Sequence, residues 1–183
     1  MVLFRKFDPE VHHRRSIRLR GYDYSKPGFY FFTICSKHRE PLFGRIENNS
    51  MILSQFGKIV QSTWLDLPNH NNYIILDFFV IMPDHVHGII QIEAGAGSKP
   101  APASHNKLAP ASHNKPAPAY HNKLAPNLGE IIRQLKTFSA RKINELRKTT
   151  GVVVWQRNYY ETVIKGEKEL NAIRNYIQTN PTR

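Results

Sequence analysis

The sequence has little cysteine, few acidic side chains and no long apolar runs. Its 183 residues contain one cysteine, Cys35, which excludes a framework of internal disulfides. Cys35 lies in the apolar segment 31–35, so we expect a small core residue rather than a nucleophile. No apolar run reaches the length of a membrane span, and the amino terminus carries Arg5, Lys6, Asp8 and Glu10 with no apolar signal core behind them. We therefore expect no membrane partner and a cytoplasmic location.

The shortage of acidic residues leaves a strongly basic chain. It has 26 Lys and Arg against 14 Asp and Glu, a formal charge of +12. The cationic excess lies in residues 1–20, 94–126 and 127–183, whereas residues 21–93 are slightly acidic. Such a charge favours a polyanionic partner, nucleic acid before an anionic membrane. The distribution predicts a central domain flanked by elements that contact phosphate.

A short repeat divides the chain. The unit Lys-Pro-Ala-Pro-Ala-Ser-His-Asn recurs with small changes from residue 99 to 123. A unit so short and so rich in Pro and Ala has almost nothing to bury, which indicates a semi-extended linker. Its three histidines have no preorganised geometry, so we do not count them as metal ligands. We expect a basic N-terminal arm over residues 1–20 and one domain over 21–183, interrupted by the linker 94–126.

Hydrophobic periodicity predicts the elements on either side of the repeat. Strands are expected at 29–36, 73–82 and 84–93, with a hairpin over 42–53 that turns at Asn48 and Asn49 and an extended segment at 152–155. Helices are expected at 54–67, with Ser54 as N-cap and Pro68 beyond the end, and at 127–148 and 167–179. This order predicts an α+β fold with helices on one face of an antiparallel sheet.

The strand at 84–93 carries two histidines one residue apart. Side chains alternate along a strand, so His85 and His87 should leave the same face while Val86 points the other way. Two neutral imidazoles held side by side form half of a divalent-metal site. The pair alone does not identify such a site, because His-x-His also occurs on packed or solvated faces.

Two segments near the C-terminus offer partners for the histidines. Tyr176 and Asn180 are four residues apart, so a helix places them one turn from each other, as a nucleophile and a third metal ligand would need. The alternative is that Tyr176 is a packing residue at the edge of an apolar stripe. Tyr159 and Tyr160 are rival nucleophiles, and Trp155 could be a platform for base stacking.

Four blocks together resemble the REP-associated tyrosine transposases, which are domesticated relatives of the single-tyrosine HUH transposases of small insertion sequences. The blocks are residues 18–24 (RLRGYDY), His85-Val86-His87 after an apolar strand, residues 155–161 (WQRNYYE) and residues 173–181 (IRNYIQTNP). The resemblance implies a ferredoxin-like or RRM-like HUH fold. It also implies metal ligation by His85 and His87, a catalytic Tyr176 and a third ligand at Asn180.

The resemblance further implies chemistry on single-stranded or hairpin DNA. Attack by Tyr176 would leave a 5′-phosphotyrosine and a free 3′-hydroxyl, with Mg²⁺ or Mn²⁺ offsetting charge at the phosphate. A homodimer that exchanges the tyrosine helix is compatible with the family. Expected DNA contacts are the arm residues Arg14, Arg15, Arg18 and Arg20, and then Arg133, Lys136, Arg141, Trp155 and Arg157.

Two other functions remain compatible with the sequence. One is a DNA- or RNA-binding protein without catalysis, in which the site has decayed. The other is a zinc hydrolase in which His85 and His87 activate a water molecule.

Overall fold

The computed structural model describes residues 21–93 and 127–180. The predicted arm with Arg14, Arg15, Arg18 and Arg20, the repeat segment 94–126 and residues 181–183 lie outside the described residues. The elements, in chain order, are β1 (Gly28–Cys35), β2 (Gly44–Glu47), β3 (Ser50–Leu53), α1 (Gln55–His70), β4 (Ile74–Ile81), β5 (His85–Ile92), α2 (Leu128–Leu146), β6 (Tyr160–Ile164) and α3 (Glu167–Thr179).

Four of the strands form one antiparallel sheet in the order β4-β5-β1-β6, and β2 pairs with β3 in a separate hairpin. Without that hairpin the chain runs β1-α1-β4-β5-α2-β6, which is the β-α-β-β-α-β order of a ferredoxin-like fold. The α+β prediction is therefore confirmed. The central strands β5 and β1 are neighbours, so residues of the two strands lie opposite one another along their whole length.

One face of the sheet carries the larger core. Tyr30, Phe32 and Ile34 alternate along β1 and are fully buried on this face, as are Val86 and Ile90 of β5. Helices α1 and α2 cover them with apolar side chains, among which Trp64 stacks on Phe79 with ring centroids 4.4 Å apart. Burial of this apolar surface is the main stabilising contribution to the fold.

The opposite face is also covered, so the prediction of helices on one face only was wrong. Phe31 and Ile89 point to this side and are buried against Leu170, Ile173 and Ile177 of α3. Strands β1 and β5 are apolar on both sides, and a second helical layer is needed to keep that second face from water. Helix α3 therefore lies on the opposite side of the sheet from α1 and α2.

The helix boundaries follow local chemistry. Ser54 caps α1 by accepting a hydrogen bond from the N–H of Gly57 at 3.1 Å, as predicted. The helix continues past Pro68 to His70, contrary to the prediction, and Asn71 closes it by donating from Nδ2 to the carbonyl of Leu67 at 2.9 Å. In the part of the chain that the structure describes, no helix combines the length and the apolarity needed to cross a bilayer.

The strand predictions hold except at β6. Asn48 and Asn49 both have positive φ angles, 48° and 58°, which suit the two-residue turn predicted between β2 and β3. The expected segment 152–155 contributes only a bridge between Ser36 and Trp155, and the strand β6 that follows was missed. Its β-branched run of Thr162, Val163 and Ile164 was the available signal.

Candidate active site

The two histidines lie at the start of β5, on the face that α3 covers. His85 is the first residue of β5, and Val86 between them is fully buried in the core of the other face, so the predicted alternation is confirmed. The two Nε2 atoms are 3.1 Å apart, and the rings meet edge to face with centroids separated by 4.7 Å. The free edges of both imidazoles therefore converge on one point.

The other nitrogen of each imidazole has a partner of its own. Nδ1 of His85 lies 2.5 Å from Oδ1 of Asp84, and Nδ1 of His87 lies 2.7 Å from Oγ1 of Thr33. Thr33 is on β1 directly opposite His87, because the register of β1 and β5 pairs these two residues. Both imidazoles are thus held by their Nδ1 atoms with their Nε2 atoms turned toward each other.

Arg39 adds a positive charge behind this pair. It donates from Nη1 to Oδ2 of Asp84 at 3.2 Å. Burial by itself raises the pKa of Asp84, but the hydrogen bond and charge of His85 and then of Arg39 outweigh it, so this pKa lies below its usual value. Asp84 is therefore an ionised acceptor for the N–H of His85.

His87 is the more buried of the two, with 5% of its surface exposed. Its ring stacks on Phe31 with centroids 5.5 Å apart. Burial, followed by the nearby charges of His85 and Arg39, lowers the pKa of His87 to about 3. The imidazole is neutral at physiological pH, which leaves one ring nitrogen with a lone pair as a metal ligand requires.

Tyr176 of α3 reaches the same point. Its hydroxyl oxygen is 3.4 Å from Nε2 of His87, and the two ring centroids are 5.3 Å apart. The ring also meets Phe31 edge to face. The predicted nucleophile is thus adjacent to the predicted histidine pair.

Helix α3 is fixed over the sheet by apolar and ionic contacts. Ile173 and Ile177 are buried against the sheet, and Arg174 donates from Nε to Oδ1 of Asp77 on β4 at 3.0 Å. A second contact joins Nη2 of Arg174 to Oδ2 of the same carboxylate, so the pair is bidentate. This clamp sets the position of Tyr176, two residues further along the helix.

Asn180 follows the last residue of α3 and keeps helical angles, φ −61° and ψ −41°, so it lies one turn beyond Tyr176. It is only 9% exposed, and its Nδ2 is buried without a hydrogen-bond partner. This nitrogen is therefore a hydrogen-bond donor that finds no acceptor in the described part of the chain. No cluster of three His, Cys, Asp or Glu side chains suitable for a metal occurs among residues 21–93 and 127–180. A third ligand beside His85 and His87 would therefore be of another type, such as the carboxamide oxygen of Asn180.

The rival tyrosines lie elsewhere. Tyr159 packs at the edge of the larger core, on the other side of the sheet. Tyr160 pairs with Thr33 across β1 and β6 and shares the face of His87, but β1 separates it from β5. The backbones of Tyr160 and His87 are therefore two strand spacings apart, which is about 10 Å. Tyr176 is the tyrosine that contacts the histidine pair.

Several predicted DNA contacts are corrected by their surroundings. Trp155 is 4% exposed, stacks on Phe43 and donates from Nε1 to Oγ of Ser139, so its ring is not available to a base. Lys136 donates from Nζ to the carbonyl oxygens of Gln156 and Arg157 at 2.6 and 2.9 Å, and burial lowers its pKa. Both side chains hold the segment before β6 in place.

The predicted arginines are exposed but separated. Arg133 pairs with Glu130 one turn earlier in α2. Arg133 and Arg141 both belong to α2, which covers the face opposite to the histidines. Arg157 is exposed in the loop that leads into β6. Of the five predicted contacts at residues 127–180, only Arg157 is both exposed and outside the α2 layer.

Three residues of the site were missed by the sequence predictions. Asp84 stands directly before His85, and this carboxylate–histidine adjacency was an available signal. Thr33 is 54 residues from His87, and Arg39 is 45 residues from Asp84. Only strand pairing and loop folding bring Thr33 and Arg39 into the site.

One comparison with known proteins bears directly on the fold. No family model matches the chain. A protein of Haemophilus influenzae (strain ATCC 51907 / DSM 11121 / KW20 / Rd), described as uncharacterized, is 40% identical over 180 residues, which cover 96% of this chain and 92% of that protein. The solved structure of a REP-associated tyrosine transposase bound to a REP hairpin superimposes with a TM-score of 0.54 at 16% identity, covering 90% of this chain and 72% of that one. At this identity the structural likeness establishes a common fold.

Proposed function

We propose that this chain, which belongs to one family with the Haemophilus influenzae protein, is a metal-dependent DNA strand transferase of the single-tyrosine HUH transposase type. One observation carries the proposal. The hydroxyl of Tyr176 lies 3.4 Å from Nε2 of His87, and that atom lies 3.1 Å from Nε2 of His85. A nucleophile beside two converging ligand nitrogens is the arrangement that metal-assisted attack on a phosphodiester needs.

The residues fit a divalent cation of the Mg²⁺ or Mn²⁺ kind. Two ligands at right angles on an ion with bonds of about 2.1 Å are about 3 Å apart, and the two Nε2 atoms are separated by 3.1 Å. His85, His87 and the carboxamide of Asn180 would hold the ion. When bound, it would offset the negative charge that develops on the phosphate during attack.

The proposed reaction exchanges one phosphate ester for another. The phenol of Tyr176 gives up its proton to solvent water, and its oxygen forms a bond to the phosphorus of the scissile phosphate. The bond from phosphorus to the 3′-oxygen breaks, and the proton that this oxygen takes up yields a free 3′-hydroxyl. The 5′ end stays joined to Tyr176, so a 3′-hydroxyl can later attack this ester and rejoin the strand without a nucleotide cofactor.

The proposed substrate is single-stranded or hairpin DNA. The chain carries a formal charge of +12, which favours a polyanion. The solved transposase that shares this fold is bound to a REP hairpin. The exposed Arg157, in the loop before β6, is the proposed phosphate contact among the described residues.

The direct test is capture of the covalent intermediate. We expect labelled hairpin DNA incubated with the protein and Mn²⁺ to give a DNA–protein adduct that survives denaturation. Tyr176→Phe removes only the hydroxyl and should abolish this adduct. Tyr160→Phe is the matched control on the same face of the sheet and should leave it intact.

The other outcomes identify the competing functions. Cleavage without an adduct, unaffected by Tyr176→Phe, would indicate a hydrolase that uses an activated water molecule. Binding of hairpin DNA with neither cleavage nor adduct, in the presence of Mg²⁺ or Mn²⁺, would indicate a binding protein without catalysis.

A further inference from the structure

The histidine pair belongs to a row of four polar groups that crosses the end of the sheet. The row runs from the carboxylate of Asp84 through His85 and His87 to the hydroxyl of Thr33. Its three contacts are 2.5, 3.1 and 2.7 Å long, so each neighbouring pair is close enough for a hydrogen bond. The direction of each bond follows from the chemistry of the groups at the two ends.

At the Asp84 end of the row, the hydrogen bond between Asp84 and His85 can have only one direction. An ionised carboxylate accepts hydrogen bonds and cannot donate them, and the ion pair with Arg39 favours the ionised form. Nδ1 of His85 must therefore carry the proton, and Nε2 of a neutral His85 is an acceptor. Asp84 allows His85 a single neutral tautomer.

With His85 in this neutral form, the metal-free protein requires the opposite tautomer at His87. Two unprotonated Nε2 atoms at 3.1 Å would face each other with their lone pairs, which is unfavourable. If Nε2 of His87 carries the proton, it donates to Nε2 of His85 and the contact becomes a hydrogen bond. Nδ1 of His87 is then an acceptor, and the hydroxyl of Thr33, 2.7 Å away, donates to it.

A bound cation reverses the direction of this last bond. Both Nε2 atoms must then offer lone pairs to the ion, so the proton of His87 must be on Nδ1. The imidazole stays neutral, because its one N–H proton leaves Nε2 and a proton returns to Nδ1 by exchange with water. Nδ1 becomes a donor, and the partner at Thr33 must become an acceptor.

A hydroxyl is suited to both states, because it can donate or accept by rotating about one bond. A carboxylate at this position would fix the metal-binding tautomer, and a valine would leave Nδ1 without a partner in either state. We infer that Thr33 is the positioning residue that lets His87 change tautomer when the divalent cation binds. This inference rests on the proposed metal site, and it adds a residue and a role that the proposed reaction does not itself require.

The test combines metal affinity with a direct reading of the tautomer. Thr33→Val keeps the shape of the side chain and removes the hydroxyl, and Thr33→Ser restores it. Thr162→Val makes the same change on an exposed residue of β6, on the same face of the sheet and opposite Phe31. Binding of Mn²⁺ alone is measured by calorimetry, and the protonation of each ring nitrogen of His87 is read from ¹⁵N NMR with and without saturating Mg²⁺.

We expect the N–H of His87 in the wild-type protein to be at Nε2 without metal and at Nδ1 with Mg²⁺. Loss of a partner that orients a ligand lowers metal affinity by about 10- to 100-fold, so Thr33→Val should bind Mn²⁺ more weakly by that factor. Thr33→Ser should recover most of the affinity, and Thr162→Val should match wild type. If Thr33→Val does not fold, Thr33→Ala removes the same hydroxyl and takes its place.

Three results would overturn the inference, and they differ in what else they overturn. If wild-type protein and Thr33→Val bind Mn²⁺ equally, or if His87 keeps one tautomer with and without Mg²⁺, the role of Thr33 is wrong while the metal site stands. If the wild-type protein takes up no Mn²⁺, the inference fails together with the metal-dependent function proposed above.

Discussion

The hydroxyl of Tyr176 lies 3.4 Å from Nε2 of His87, although the two residues are 89 positions apart in the chain. The contact joins α3 to the start of the central strand β5. Among the described elements, α3 alone covers this face of the sheet. The geometry of the contact depends on how α3 is fixed to the sheet.

The clamp between Arg174 and Asp77 should control both stability and reaction rate. Arg174→Ala removes a bidentate, partly exposed ion pair, so we expect a loss of about 1–2 kcal/mol in the free energy of unfolding. The rate of adduct formation should also fall, because Tyr176 lies on the same helix. Urea denaturation gives the stability, and Arg141→Ala, on an exposed position of α2, is the control. Unchanged stability and unchanged adduct yield in Arg174→Ala would contradict the clamp.

Asn180 should contribute to metal binding without contributing to stability. Asn180→Ala is expected to weaken Mn²⁺ binding by about tenfold or more, in the range for loss of a metal-site group. The free energy of unfolding should hardly change, because Nδ2 of Asn180 is buried without a partner and its removal breaks no hydrogen bond. Calorimetry and denaturation on the same samples separate the two effects. Asn175→Ala, exposed on α3, is the matched control, and an equal Mn²⁺ affinity in both variants would exclude Asn180 as a ligand.

Gly88, next to His87, should be required for packing beneath the site. A Cβ at this position would lie 2.5 Å from Cζ of Phe32, whose ring is fully buried. We expect Gly88→Ala to destabilise the protein by about 1–3 kcal/mol, as overpacked cores do. Gly166→Ala meets nothing within 4 Å and should lose at most about 1 kcal/mol as a weaker N-cap. Thermal denaturation compares the two, and equal losses would show that Gly88 is not tightly enclosed.

His87 should make the metal-free protein less stable at mildly acidic pH. Its pKa is about 3 in the folded chain against an ordinary value of 6.5, so the unfolded chain binds the proton more readily. The contribution of neutral His87 to the free energy of unfolding is complete above pH 6.5 and is lost as the pH falls toward 3. Between pH 7 and pH 5 we expect His87 to account for a loss of about 1–2 kcal/mol. Denaturation with a chelator present should show a flatter pH dependence for His87→Gln, and identical pH dependence would contradict the buried neutral state.

Local patterns were sufficient for most of the secondary structure. The cap at Ser54, the turn at Asn48 and Asn49 and the bounds of α3 depend on side chains within a few residues of the backbone that they satisfy. The misplaced end of α1 at Pro68 has a local cause that the pattern does not show, since Asn71 supplies the cap. The missed β6 depends on pairing with β1, to which it contributes a short and half-exposed edge.

The basic residues show the limit of prediction from composition. The charge of Lys136 and the aromatic ring of Trp155 made these residues look like parts of a nucleic-acid surface. In the folded chain they anchor the segment before β6, because Nζ of Lys136 and Nε1 of Trp155 find acceptors inside the protein. The sequence contains no signal for which cations are used internally.

The sequence by itself determined that His85 and His87 share a face and that Tyr176 and Asn180 share a turn of helix, because the strand and helix periods act over a few residues. Only the tertiary structure decided that Tyr176 meets the histidine pair. The register of β1 against β5 placed Thr33 at Nδ1 of His87, and the apolar second face of the sheet required α3 above it. Both arise from contacts between distant segments, whose free energy depends on how the whole chain packs.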